Sequence, residues 1–565
     1  MAKRWQEPDK SIPDAVREEL KDYSPAFAQI LFNRDIKTAE QAERFLNMKE
    51  LPSTDPFIMK GMREGVDRIL EAIHRNERII IYGDYDVDGV TATVLMVEVL
   101  QAMGAKVDQY IPNRYEEGYG LNIEALSRLK DEGAALVITV DCGIRSNMEA
   151  DHARKIGLDM IITDHHHPLG DLPRALAVIC PKQAGDTYPD KDLAGVGLAF
   201  KLAQALTAGG GFPNVDLKKS LDLVALGTVA DLAPLSGENR GLVKEGISQI
   251  KTGSRQGLVS LAGVAEIPLA KTTAADIGFT FGPRLNAAGR LETAQAAYNL
   301  LITRDISQTG LMAQQLNQQN YQRQIETREL QAQAAQLAVK TEKIPNILFA
   351  IDENYKSGLV GLAASRLVDN YYRPAVVGQK EAETTRCSCR SIPEFHITDA
   401  LDQCADLLIR HGGHAAAAGF TVSNDKLDEL ISRLIRIADE QLGGRDLRPT
   451  LVADANVDLA DLDTALYQNL LKLQPTGYGN REPLFLARKV KVISKRQVGT
   501  GNLHLKMMIS SQRGVVMDAI GFRLGGWFDR MPEWVDLIGT FERNDYNGRS
   551  TFQMNVKDIR ESKGD

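Results

Sequence analysis

The sequence predicts an α/β protein of several domains: a parallel, doubly wound sheet, a smaller α/β segment joined to it by a long helix, and a small β-barrel at the C-terminal end. Three observations carry this. From about Arg78 to Pro234, short β-rich runs alternate with amphipathic helices ("RIIIY", "GVTATVLMVEVLQAMG", "AKVDQYIP", "NIEALSRLKDEG", "ALVITVD", "LDMIITD"), the order that builds parallel sheets. The stretch Leu311 to Ile344 has no Gly or Pro, lies between Gly310 and Pro345, and carries an apolar stripe (Leu311, Leu316, Tyr321, Ile325, Leu330, Leu337), which predicts one long helix bridging two domains. Beyond the linker-like "QLGGRDLRP", the tail is β-rich and punctuated by the turn signals "QPTGYGN", "VGTGN" and "NDYNG". The expected parts are an N-terminal segment (1–55), a first α/β domain (56–240), a helical region holding the long helix (241–344), a second α/β domain (345–443) and the barrel (444–565).

Bulk properties narrow the class. A chain of 565 residues has room for roughly three or four domains. Its 43% hydrophobic and 25% charged residues are those of a soluble globular protein, and a net charge of −8 excludes a wholly basic nucleic-acid coat, so any such surface must be local. The five cysteines (Cys142, Cys180, Cys387, Cys389, Cys404) contain no C-x-x-C pair and suggest neither a disulfide framework nor a zinc ribbon. The N-terminal "MAKRWQEPDK" has no apolar run behind it, and no stretch reaches membrane-spanning length. A cytoplasmic protein with no membrane association is expected.

Chemistry concentrates first in "GDYDVDG", where Asp84, Asp86 and Asp88 alternate after the short strand Ile79 to Tyr82. Three carboxylates this close repel one another unless a cation lies among them. The pattern matches the first six positions of an EF-hand loop, but Leu95 stands where that loop requires a bidentate Glu, and a strand rather than a helix precedes it. Two further strands end in acid: "ALVITVD" at Asp141, and "LDMIITDHHHP" at Asp164, with His165, His166 and His167 behind it. Asp231 closes the apolar run "LDLVALGTVAD". Ligands of open α/β sheets collect at the carboxyl ends of strands, so these groups are aimed at one crevice.

A lone Asp at a strand end is usually a helix cap and a lone His usually structural. Their recurrence at corresponding topological positions points instead to a metal centre. Carboxylates with imidazoles and no thiolate suit Mn²⁺ or Mg²⁺, manganese being favoured by the histidines. Five or more acids exceed the needs of one small ion, so two are expected. A pair about 4 Å apart lowers the pKa of a water between them and holds the attacking and leaving oxygens of a phosphoryl displacement. Cys142 and His167 read as packing or supporting residues.

The four motifs "DYDVDG", "VDCG", "TDHHHP" and "ALGTVAD", in this order, resemble those of the DHH phosphoesterase superfamily. "IPNRYEEGYGLN", "LAGVGLAFKL", "FGPRLNAAGRL", "GLVGLAASRL", "CRSIPEFHITDAL" and "GGHAAAAGF" look like further blocks of its branch of single-stranded-DNA-specific exonucleases, and the resemblance runs from about Pro56 to the C-terminus. It implies a DHH catalytic domain, a connecting helix, a DHH-associated substrate-binding domain and an oligonucleotide-binding (OB-like) barrel. It makes Asp86, Asp88, Asp141, His165, His166 and Asp231 metal ligands and Asp164 a bridging or supporting carboxylate. Asp84 contributes to the metals or their surroundings, because Tyr82 stands where smaller superfamily members carry histidine. Lys356 also replaces a frequent histidine.

The same resemblance implies degradation of single-stranded DNA from its 5′ end to 5′-mononucleotides in repair and recombination, with a single-strand-binding protein and a RecQ-type helicase as partners. Arg114, Ser388 and Arg390 would hold the 5′-phosphate, and Arg284, Asn286 and Arg290 phosphates nearer the scissile bond. Gly412 and Gly413 let backbone amides approach a phosphate beside His414, and Tyr119 is the candidate for stacking on a base. Residues 481–530 hold ten Lys/Arg against the acids Glu482, Asp518 and Asp529, net positive by seven, a local patch suited to a strand-binding barrel. Two alternatives are a DHH-like scaffold that binds DNA without cutting it, opposed by the intact acidic motifs, and a phosphoesterase for small substrates, opposed by the basic barrel.

Overall fold

The structure, a computed structural model, describes residues 3–8, 11–47, 54–113, 117, 120–209, 211–291, 293–341, 343–546 and 548–562. The chain forms two compact units, one of Glu50–Arg445 with Gly477–Asn480, the other of Met1–Lys49, Asp446–Thr476 and Arg481–Asp565. Among the described residues no helix is long and apolar enough to cross a membrane.

The larger unit begins with a five-stranded, wholly parallel sheet built from β1 (Arg78–Gly83), β2 (Lys106–Tyr110), β3 (Ala134–Val140), β4 (Asp159–Thr163) and β5 (Ala177–Ile179), in the order β2-β1-β3-β4-β5. The expected doubly wound fold is thus present, with β1 and β3 at its centre. Helix α1 (Val87–Ala102) is buried on nearly every side, which is why "VTATVLMVEV" has no polar stripe: it packs against the sheet, α2 (Gly195–Thr207) and α3 (Leu221–Ala230). Helix α4 (Gly282–Leu291) follows a turn of π-helix at Ile277–Phe281.

The long helix α5 runs over Ile306–Ala338, about 50 Å at 1.5 Å per residue. It starts five residues earlier than the Gly310 boundary implies. Asp305 caps it by accepting from the Gln308 amide, and a Cβ at Gly310 would meet nothing, so glycine there interrupts nothing. It also ends well before Pro345. The second sheet comprises β6 (Leu348–Asp352), β7 (Ala375–Lys380), β8 (Thr384–Arg390), β9 (Leu408–His414) and β10 (Ala417–Ser423), in the order β9-β10-β8-β7-β6 and antiparallel except for β6 with β7. Helix α6 (Ser357–Tyr371) lies against α5, β7 and β8.

In the smaller unit, β12 (Phe485–Val498), β13 (His504–Ser510), β14 (Val516–Gly521), β16 (Arg549–Glu561) and β15 (Trp534–Tyr546) pair in that sequence, and β15 returns to β12, closing a five-stranded barrel; β11 (Ala455–Val457) adds to β12 in parallel. The barrel expected from the turn signals is present. The N-terminal helices belong to this unit: Leu20, Phe27 and Leu31 share its core with Phe485, Leu537 and Met554.

Candidate active site

Four chain segments aim their acids at one crevice at the carboxyl ends of β1, β3 and β4. Asp86 caps α1: its Oδ1 accepts from the Asp88 amide at 2.8 Å and the Gly89 amide at 3.1 Å. Asp88, fully buried, sits on the N-terminus of α2 and accepts from the Gly195 amide at 2.7 Å and the Val196 amide at 2.8 Å. Two glycines of the sequence blocks make room for these carboxylates. A Cβ at Gly195 would lie 2.7 Å from Asp141 Oδ1, and one at Gly227 2.7 Å from Asp88 Oδ1.

Asp141 leaves β3 with a left-handed backbone (φ 63°), a conformation that Asp tolerates better than most residues and that turns its side chain out of the strand. Its amide donates to the Thr163 carbonyl at 3.1 Å, tying the two strand ends together. His165 Nε2 lies 3.1 Å from Asp141 Oδ1, 3.8 Å from Asp231 Oδ2 and 4.0 Å from Asp88 Oδ2. Three overlapping sets of donor atoms, each within 4.8 Å of one another, come from Asp84, Asp86 and Asp141, from Asp141, His165 and His166, and from Asp88, His165 and Asp231. The three sets contain seven of the eight residues expected here.

Asp164 does not join them. Its Oδ1 accepts from the His166 amide at 3.0 Å and its ring Nδ1 at 2.7 Å, and its Oδ2 accepts from the Ile144 amide at 2.9 Å. Tyr82 points away into the core beneath the sheet, where its hydroxyl donates to the Gly120 carbonyl at 3.2 Å and its ring tilts against Tyr110. Asp84, two residues on, is the side chain that reaches the donor cluster instead.

The electrostatics are those of buried, crowded carboxylates. Burial, then the charge of Asp86, raises Asp88 to about 7; burial, then Asp88, raises Asp231 to about 8. Asp141 is pushed well up by burial and by Asp88, Asp86, Asp84 and Asp231. Burial and the neighbouring His166 lower His165 to about 3, so its ring is neutral and offers a lone pair. Burial alone would raise Asp164, but its hydrogen bond from His166 and the two amides outweigh this and hold it below its usual range. Asp164 in turn lifts His166 to about 8 against the effect of burial. Asp141 Oδ1 and His165 Nε2 are buried and face each other without hydrogen-bond geometry. Two orphaned lone-pair atoms, with hard oxygen donors around them, fit divalent ions such as Mn²⁺ or Mg²⁺.

Around the crevice the unit gathers cations. Helix α4 meets the metal loop through Gly289, where a Cβ would lie 2.9 Å from the Tyr85 carbonyl oxygen; Asn286, one turn earlier, shares that side of the helix. Arg284 donates to Asn317 Oδ1 on α5 and to the Thr280 carbonyl, both at 3.0 Å. Near enough to feel its charge is Arg323, also on α5, which the sequence reading missed because the helix looked like a mere connector. Its Nε is buried without a hydrogen-bond partner, and burial followed by the charge of Arg284 lowers its pKa. The π-helical turn ahead of "GPRLNAAGR" was equally illegible, though such turns gather at functional sites.

On β8, Arg390 Nη1 donates to Ser388 Oγ at 3.0 Å and to the Cys389 carbonyl at 2.8 Å, and burial lowers its pKa. The glycine of "GLVG" belongs here, because a Cβ at Gly361 would lie 3.0 Å from Ser388 Oγ and 3.2 Å from Arg390 Nη2. Gly413 lets β9 approach β10, since a Cβ there would lie 2.4 Å from the Ala417 oxygen, whereas one at Gly412 would meet open space. His414 ends β9 and packs edge-on against His167, ring centroids 6.4 Å apart, so the two α/β domains meet at the crevice. Lys356 is engaged elsewhere, by Glu326 of α5 at 2.8 Å. Arg114, Tyr119 and the side chain of Arg290 lie outside the described residues.

In the barrel unit, several of the counted cations are neutralised from outside their sequence window: Arg488 pairs with Glu7, Lys491 with Glu533 and Arg513 with Asp458. Lys495 and Arg530 instead lie over the rings of Phe528 and Trp527, at 5.3 and 4.4 Å.

Comparison with known proteins agrees along the whole chain. Residues 78–228 match the DHH family N-terminal domain, 345–440 the DHHA1 domain and 453–558 the RecJ OB domain. The chain is 38% identical to the single-stranded-DNA-specific exonuclease RecJ of Bacillus subtilis, over 98% of this chain and 70% of that protein. Against the exonuclease of the same name from Escherichia coli it is 34% identical, over 95% of this chain and 96% of the relative. The crystal structure of RecJ in complex with Mn²⁺ from Thermus thermophilus superposes with a TM-score of 0.84 at 29% identity, covering 99% of this chain and 80% of that one. Identity at this level over nearly the full length leaves one conclusion: the chain belongs to the RecJ family of DHH exonucleases.

Proposed function

We propose that the protein is a metal-dependent exonuclease that degrades single-stranded DNA 5′ to 3′ to 5′-mononucleotides in DNA repair and recombination. The observation that carries this is the convergence of five carboxylates and two imidazoles, with orphaned donor atoms between them, in a family whose named members are specific for single-stranded DNA. Asp84, Asp86, Asp88, Asp141, His165, His166 and Asp231 would hold two Mn²⁺ or Mg²⁺ ions. When bound, such ions supply an activated water and neutralise charge on the phosphate and the departing 3′-oxygen.

The remaining residues bind and orient. Asp164 accepts a hydrogen bond from His166 Nδ1, which fixes the tautomer and leaves the Nε2 lone pair for a metal, a supporting role. Ser388 and Arg390, with Arg114, hold the terminal 5′-phosphate, and the forked guanidinium suits that task. Arg284 and Arg323 hold a phosphate further along the strand, since the buried, unpartnered Nε of Arg323 lies within the field of a second guanidinium. Asn286, Gly412, Gly413 and His414 serve the path between; the family resemblance adds Arg290 as a phosphate ligand and Tyr119 as the residue that stacks on a base. The barrel grips the strand without reading its sequence, through Lys495, Arg530 and their aromatic neighbours. A single-strand-binding protein and a RecQ-type helicase would present the strand, and the setting is the cytoplasm.

The test is digestion of long DNA labelled at its 5′ or 3′ end, with manganese, as single strand and as blunt duplex. Immediate release of the 5′ label as a mononucleotide from the single strand alone supports the reading. Tight binding without release would restore the scaffold alternative.

A further inference from the structure

The sheet face that carries Ser388 and Arg390 continues beyond them, and the 5′-end reading leaves its outermost row unused. Register across β8, β10 and β9 arranges it in three rows: Arg390, Ala417 and His414; then Ser388, Gly419 and Gly412; then Arg386, Thr421 and Arg410. Cross-strand partners project from the same side of a sheet, so all three rows share the face on which His414 meets the catalytic domain. On the opposite side His411 is bonded to Asp402 at 2.8 Å, and Cys387 and Phe420 are buried.

The middle row is nearly bare. A Cβ at Gly412 would meet nothing within 4 Å, and one at Gly419 only the Cys387 carbonyl oxygen at 3.4 Å. At the Arg386–Thr421–Arg410 end of these strands lies a cavity of about 310 Å³, lined by those three residues with Gly412 and Gly419, and also by the alternate residues Cys387, His411 and Phe420. Arg410 donates to Thr421 Oγ1 at 3.3 Å, and among the described residues no carboxylate forms an ion pair with it. Arg386 reaches Glu381 only at 3.7 Å, with both side chains well exposed. The polar side chains that project from these rows are guanidiniums, hydroxyls and an imidazole, so at its outer end the face offers charge and exposed backbone.

We propose that Arg386 and Arg410 form a second anion subsite that takes the outer phosphates of a 5′-polyphosphorylated strand end. This rests on the reading of Ser388 and Arg390 as the pocket for the phosphate attached to the terminal sugar. The arginine row stands two residues, about 7 Å, beyond the serine row and on the far side of it from the crevice, where a triphosphate chain extends away from the scissile bond. The bond cut is unchanged. Water adds to the phosphorus between the first and second nucleotides, the 3′-oxygen of the first leaves and takes a proton, and the shortened strand carries a new 5′-phosphate. The first product from such an end is therefore a nucleoside 5′-triphosphate, followed by monophosphates.

The experiment uses the full chain and one oligonucleotide sequence with a 5′-hydroxyl, 5′-monophosphate or 5′-triphosphate end. Binding is measured by anisotropy in EDTA, and the first product is identified chromatographically with manganese. The triphosphate end should bind at least as tightly as the monophosphate and release a nucleoside triphosphate first. Arg410→Gln should weaken triphosphate binding about tenfold and leave the preference for monophosphate over hydroxyl intact. Arg386→Gln should act in the same direction, whereas Arg390→Gln should abolish the preference for monophosphate over hydroxyl.

A triphosphate end bound more weakly than a monophosphate one, or binding indifferent to both outer arginines, overturns the subsite while leaving the inner pocket standing. Equal binding of monophosphate and hydroxyl ends in the unaltered protein removes the inner pocket and the subsite with it. Inorganic tripolyphosphate that competes through Arg410, with no gain for triphosphate-ended strands, would assign the arginines to free polyphosphate and overturn the proposal. Dinucleotides released from 5′-monophosphate DNA, and lost in Arg410→Gln, would assign them to a DNA phosphate with the same consequence.

Discussion

In the crevice of the first α/β domain, Asp84, Asp86, Asp88, Asp141 and Asp231 crowd together around His165 and His166; on the sheet of the second, Arg390 and Arg410 stand beside serine and glycine, and among the described residues neither forms an ion pair with a carboxylate. Each region is an uncompensated charge, but they are built differently. The acids are buried and pinned, Asp88 by two helix amides, Asp86 by its own helix and Asp141 by a left-handed turn. The cations are placed by strand register over an open floor. A resident ion requires donor atoms fixed in advance, whereas a strand that must advance after every cut requires charge on a surface with little to obstruct it.

The largest effect should come from breaking the pinned side. Asp141→Asn keeps the volume and tolerates the left-handed backbone but removes a shared donor, so exonuclease activity should fall by about 10²–10³-fold or more. The same change relieves like-charge repulsion, so the metal-free protein should melt higher than the parent, which a mere folding defect would not produce. Next, Asp164→Ala leaves all seven donors in place but frees His166, and should weaken manganese binding by about 10–100-fold in titration calorimetry. A loss as large as that of Asp141→Asn would make Asp164 a ligand instead of an orienting group.

On the open side, Arg390→Gln should cost about tenfold in binding strands with a 5′-phosphate and little in binding those with a 5′-hydroxyl, measured by competition. Lys495→Ala with Trp527→Ala in the barrel should be smaller still, visible as weaker binding and a shallower salt dependence on long strands while short oligonucleotides are cut as before.

A pH experiment sharpens the contrast. Asp88 and Asp231 are raised to about 7 and 8 by burial and by neighbouring carboxylates, whereas in the unfolded chain such groups titrate near about 4. Between these limits the folded state binds protons that the unfolded state has lost, so the metal-free protein loses stability as pH rises from about 4 to 8. Manganese needs the ionised carboxylates, so the rise in melting temperature on adding it should be larger at pH 8 than at pH 6. Equal shifts at the two values would mean that these carboxyls are not displaced by the ion.

The two regions were unequally legible in the sequence. The crevice could be read because parallel strands deliver their C-terminal residues to one edge, so Asp141, His165 and their companions needed only the strand assignment. Gly195, Gly227 and Gly361 appeared as blocks of pattern whose purpose only packing reveals: each clears space for a named carboxylate or guanidinium. Arg323 stayed hidden because neither it nor Arg328 has a periodic signature in a glutamine-rich helix, and its meaning lies in its burial within reach of the charge of Arg284. The alignment of Arg386 and Arg410 with Arg390 depends on the pairing of β8, β10 and β9, a long-range property. For the same reason the partner of the N-terminal helices, the barrel core some 450 residues away, could not be foreseen. Charge counted in a window also misleads where Glu7 or Asp458 returns from a distant segment to neutralise it.

The most direct test of the central claim is the stoichiometry of manganese bound to the full chain, by calorimetry with elemental analysis, in the parent and in Asp141→Asn. The account predicts two ions per chain in the parent and fewer, more weakly held, in the variant. No binding in the parent, or two ions held equally well without Asp141, would contradict it.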